Sequence, residues 1–73
     1  MATTVRRLFR IRPRDIAYLS ITVSSYDGAG VVRTVDPEEA VIEVLMAPGC
    51  EKILLALFRH LAEEEGVPIE PAG

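Results

Sequence analysis

Seventy-three residues leave room for one domain, and a composition that is 49% hydrophobic excludes a disordered chain. A single cysteine excludes an internal disulfide framework and fits a reducing cytoplasm, while a net charge of −3 argues against a nucleic-acid-binding domain. The apolar run Ile53 to Phe58 falls far short of the roughly 18 residues of a membrane span. The N-terminus has arginines but not the apolar stretch of a secretory signal.

Val5, Phe9 and Ile11 share one parity and Arg6, Arg10 and Arg12 the other, which reads as a strand with an apolar inner face. Arg7 on the inner parity and Leu8 on the outer one break the pattern. Residues 1–14 are arginine-rich and acid-free, as transit peptides are, yet the alternation makes them an element of the fold. Pro13 ends the strand and suits the first turn of a helix, where Asp15 meets the positive end of the dipole. Ile16, Leu19, Val23 and Tyr26 then form an apolar stripe at helical spacing, with Gly28 as the residue that ends the helix. Its many β-branched residues and serines are poor helix formers, so packing must hold it.

Two apolar runs from Val31 to Met46 flank the turn signal Asp36-Pro37-Glu38-Glu39. One register of this hairpin pairs Val35 with Ala40 and puts Arg33 on the core side. The other pairs Asp36 with Ala40, sets Arg33 opposite Glu43 and turns both charges outward. The second is preferred, because burying an unpaired guanidinium is costly. Pro48-Gly49 breaks the strand, and Cys50 to Glu65 reads as the longest helix. Cys50, Leu54, Leu57 and Leu61 make its central stripe, with Ile53 and Phe58 flanking and Gly66 closing it. Val67 and Ile69 alternate with Pro68 and Glu70 in a short strand whose prolines confine it to a sheet edge.

The order βαββαβ predicts a single α+β, ferredoxin-like domain over residues 1–73, with an ordered core of about 4–70. Its sheet has four antiparallel strands, with the first and third central and both helices on one face. The expected core is Phe9, Ile11, Leu19, Val23, Ile42, Val44, Leu54, Leu57 and Leu61. Leu8, Val31, Val35, Val41 and Leu45 fall on the outer face, among Arg6, Arg10, Arg12, Arg33 and Glu43. That is more apolar surface than one wet sheet face needs, and it points to a homodimer interface which a helix edge such as Leu55 could extend.

No catalytic constellation accompanies this architecture, and the reading is non-enzymatic. Cys50 opens a helix, where a thiol pKa falls, but it lies in the Leu54/Leu57/Leu61 stripe as a small core residue would. His60, the only histidine, is ten residues along the same helix, about 15 Å of rise away and at the wrong azimuth. One cysteine and one histidine make no metal site, and no cofactor is expected. Gly28-Ala29-Gly30 follows a helix and opens a strand, the reverse of a phosphate loop. The third strand, Ala40 to Met46, has no aromatic residue, which argues against RNA on the sheet face.

Asp15-Ile16-Ala17-Tyr18-Leu19, Ser25-Tyr26-Asp27-Gly28 and Val31-Val32-Arg33-Thr34-Val35-Asp36 make the chain resemble a family of small bacterial proteins catalogued only as a domain of unknown function. The likeness runs from about Arg6 to Gly66 and implies no activity. Amino-acid-binding regulatory domains of the same topology are a looser comparison. They place a ligand near a Gly-containing loop after the first strand, where this chain has Arg12-Pro13-Arg14-Asp15.

Three functions follow for test. The first is a homodimeric interaction or regulatory module without nucleic-acid or membrane partners. The second is a sensor in which Arg10, Arg12 or Arg33 binds a small anionic ligand, and the third a thiol enzyme centred on Cys50.

Overall fold

In the computed structural model, which describes residues 4–72, the chain runs β1 (Val5–Ile11), α1 (Pro13–Ser24), β2 (Gly30–Asp36), β3 (Val41–Met46), α2 (Glu51–Glu64) and β4 (Ile69–Pro71). The strands form one antiparallel sheet in the order β2-β3-β1-β4. The first and third strands are therefore central, and the proline-bearing β4 lies at an edge. Pro71 faces Phe9 one position before the bond from the Ala72 N–H to the Leu8 carbonyl. Its missing donor therefore falls on the open side of β4.

Phe9, Ile11, Ile42, Val44 and Met46 line the inner face of the sheet and share one buried cluster with Leu19 and Val23 of α1 and Leu54, Phe58 and Leu61 of α2. Both helices thus cover the same face, the ferredoxin-like arrangement. Fully burying an aliphatic or aromatic side chain of this size contributes roughly 1.5–3 kcal/mol. Phe9 and Phe58 also meet edge to face, with ring centroids 5.2 Å apart.

Two stripes end differently from the sequence expectation. Along α2, Phe58 takes the buried position and Leu57 is only half-buried, because Leu54, Phe58 and Leu61 at i, i+4 and i+7 face the sheet. Ile53 lies 53% exposed beside them. Helix α1 stops at Ser24, so Tyr26, expected to complete its stripe, lies beyond the helix and is exposed. The Ser25 hydroxyl donates to the Thr22 carbonyl at 2.6 Å, a local bond that competes with further helix in a segment of poor helix formers. Gly28, with φ 72°, therefore serves the following turn and does not end the helix. At the end of α2, Gly66 does adopt a left-handed conformation, φ 68°, and the Val67 N–H returns to the Leu61 carbonyl at 3.1 Å.

The hairpin adopts the preferred register over most of its length, with Val31 opposite Leu45 and Arg33 opposite Glu43. Near the turn it departs by one residue: Asp36 pairs with Val41 in place of Ala40, through a bulge at Val35. The cause is the turn itself. The Asp36 carboxylate accepts bonds from the Glu38 and Glu39 N–H groups, both at 3.1 Å, and Ala40 turns left-handed at φ 56° to re-enter the ladder.

Gly30 opens β2 where a side chain has no room. An added Cβ would stand 2.8 Å from the Leu45 carbonyl oxygen and 3.0 Å from Leu54 Cδ1. The first neighbour is backbone of the paired strand and cannot move without disturbing the ladder. Gly30→Ala should therefore destabilise the domain by about 1–3 kcal/mol, read as a lower urea midpoint by circular dichroism.

Candidate functional site

Among the described residues, no helix covers the outer sheet face. Alternation places Arg6, Leu8 and Arg10 of β1, Val41, Glu43 and Leu45 of β3, and Val31 and Arg33 of β2 on it. Glu43 is at its centre, opposite Leu8 on one side and Arg33 on the other. Its carboxylate accepts a bond from Arg6 Nε, and an Arg33 guanidinium nitrogen stands 3.8 Å away. The Glu43 side chain is only 12% exposed, although the face is open. Leu8, Val41 and Leu45 are half-buried around it, and Val31 is 56% exposed. A carboxylate so enclosed is tolerable because two guanidinium groups offset its charge. The arginine stems can meanwhile lie along the aliphatic side chains.

Two residues expected on this face have other places. Arg12 is the N-cap residue of α1, past the end of β1; its Nε donates to Asp15 at 2.7 Å and its terminal nitrogen to the Gly66 carbonyl at 3.4 Å. Val35, at the bulge, has no cross-strand partner and is 49% exposed. Leu55, suggested as an extension of the face, projects from α2 on the helix side of the sheet and lines a groove at the β1 edge. The off-pattern Arg7 reaches Glu51 at the start of α2, with Nε 3.0 Å from the carboxylate. The anomaly in the β1 alternation is thus a strand-to-helix ion pair.

The three arginines proposed for an anionic ligand are not brought together. Arg10 and Arg12 line a groove of about 310 Å³ with Pro13, Ala40 and two acids, Glu39 and Glu70. Arg10 donates to the Glu39 carbonyl at 3.3 Å, and Arg33 faces Glu43 on the far strand. Arg10 and Arg12 each have an acceptor within the domain that a ligand would have to displace, whereas Arg33 has only the nearby charge of Glu43.

Cys50 caps α2, half-buried against the core, while the His60 ring lies 3.9 Å from Glu65 near the other end of that helix. No group of three or more potential metal-binding side chains converges among the described residues. None of the described helices is long and apolar enough to cross a membrane.

One cluster has no sequence signature. The Tyr18 hydroxyl of α1 donates to Glu65 at 2.6 Å, tying together residues 47 positions apart. That bond holds the Tyr18 pKa above its usual value, because the carboxylate favours the protonated phenol. The contribution to stability is thus complete below the ordinary phenol pKa and is lost as pH rises through the raised one. In a phenolate absorbance titration, one tyrosine should titrate late, and Glu65→Gln should bring it down.

A ferredoxin-like domain with an uncovered, charge-studded sheet face is the class that this geometry defines. Over residues 9–64 the chain matches the family model described as domain of unknown function DUF4911, and it belongs to that family. Among curated proteins and solved structures, no match is found.

Proposed function

We propose that this protein is a non-enzymatic, homodimeric interaction or regulatory module of the cytoplasm, and that two copies associate through their outer sheet faces. The observation that carries the reading is Glu43, a nearly enclosed carboxylate at the middle of a face that no helix covers, ringed by Leu8, Val41, Leu45 and the exposed Val31. A second copy fits this face better than water does. Aliphatic residues and charges of both signs on one patch are what a twofold, self-complementary contact requires. A stable pair buries at least about 1,000 Å² in total, hence roughly a tenth of each chain's 4819 Å². Small domains without disulfide or metal gain stability from such burial.

Native mass spectrometry of the purified protein tests the reading, since it reports subunit count and any retained ligand together. A dimer without added mass is the expected spectrum. A monomer carrying an anionic small molecule would replace this proposal with the sensor reading, in which Arg10 and Arg12 share a groove.

A further inference from the structure

The cross-strand pairs lay the outer face out as a grid. Its middle row runs Arg33, Glu43, Leu8 and Ala72 from β2 to β4, and the next row holds Val41, Arg10 and Glu70. Two charges without a hydrogen-bonded partner stand at opposite edges of this grid. Arg33 on β2 has a side chain 69% exposed, and the Glu43 carboxylate lies 3.8 Å away, beyond hydrogen-bond range. Glu70 on β4 is exposed, and none of the ion pairs among the described residues includes it. Strands β3 and β1 lie between them, which separates the two by about 14 Å across the sheet. Within one chain they cannot meet.

We propose that in the dimer Arg33 of each copy pairs with the partner's Glu70, and that these two ion pairs set the register of the stacked sheets. The pairing presupposes the outer-face dimer and adds to it the position of the twofold axis. Sheets stacked in the aligned arrangement keep their strands within about 30° of each other. An axis running across the strands through the middle row would set Arg33 on the partner's Arg33 and Glu43 on the partner's Glu43. Like charges so placed cost several kcal/mol.

An axis along the strands, between β1 and β3, avoids this. It stacks β3 on the partner's β1, with Glu43 over the partner's Leu8 and Leu45 over the stem of the partner's Arg6. It also stacks β2 on the partner's β4, so that Arg33 lies over the partner's Ala72, one row from Glu70. That offset is two residues, about 6.8 Å, which an extended arginine side chain spans. Asp36, which the same axis sets over the partner's Glu70, already accepts the Glu38 and Glu39 N–H groups of its own turn.

Complementary charge reversals test the pairing. In its homodimer, Arg33→Glu sets glutamate against glutamate at both contacts, and Glu70→Arg sets arginine against arginine. Each homodimer should dissociate at least about tenfold more readily than the wild type. Mixed in equal amounts, the two variants restore opposite charges at both contacts, so a heterodimer should form with near wild-type affinity. Both positions are exposed and Glu43 keeps its bond from Arg6, so both variants should fold, which circular dichroism will verify. Native mass spectrometry separates the two homodimers and the heterodimer by mass. Because Arg33 and Glu70 are too far apart to touch in one chain, enrichment of the heterodimer reports contact between copies. Variants that pair with themselves as well as the wild type does, or a mixture with no enriched heterodimer, would overturn the pairing and leave the outer-face dimer standing. A monomeric wild-type protein would overturn both.

Discussion

Leu54→Ala is expected to remove most of the stability of this domain. Leu54 is fully buried in the shared core, against the backbone of Gly30 at the start of β2. Truncation loses the transfer free energy of three carbons and leaves a cavity whose walls are backbone and other fully buried side chains. Such changes cost about 2.7–5 kcal/mol. Domains of ordinary size have only about 5–15 kcal/mol to lose, and one of 73 residues lies toward the lower end. The urea midpoint should fall by half or the chain should unfold on warming. The neighbouring Ile53→Ala, at a position 53% exposed, should shift stability by no more than about 0.5 kcal/mol. A similar loss in both variants would mean that the helix is rotated from the orientation described.

Leu45→Asp should separate the proposed dimer while leaving the fold in place. Leu45 lies on the outer face opposite Val31 on one strand and Arg6 on the other, two residues from Glu43. An aspartate there puts a second negative charge near an enclosed carboxylate and removes an aliphatic side chain from the centre of the contact. Buried unpaired charge at an interface costs several kcal/mol, so dissociation should be complete at micromolar protein. Because the position faces away from both helices, far-UV circular dichroism should be largely retained. Loss of that signal together with dissociation would show that Leu45 supports the monomer and not the pairing.

The architecture was legible because its signals are local and repeated. Period-two alternation in β1, helical stripes around Leu19 and Leu54, and prolines at both ends of β4 each point to one arrangement. The Arg33–Glu43 register was legible from the cost of a buried guanidinium. What escaped depended on particular three-dimensional contacts. The bulge at Val35 follows from Asp36 capping its own turn, and Arg12 leaves the sheet face to bond Asp15. Phe58 displaces Leu57 because a ring on that side of α2 reaches Phe9. Tyr18 and Glu65 meet only through the packing of α1 beside the end of α2. On the outer face, strand parity and hairpin register predicted Leu8, Val41, Glu43 and Leu45 together. They did not predict that Arg6, diagonal to Glu43, would take its carboxylate.

In the proposed dimer, the outer sheet face joins two copies of this chain. Multi-angle light scattering behind a sizing column, with wild-type protein loaded at tens of micromolar, tests it most directly, because it returns mass without assuming shape. The expected result is a single peak at twice the chain mass, which shifts to the chain mass in Leu45→Asp. A wild-type peak at the mass of one chain would contradict the claim.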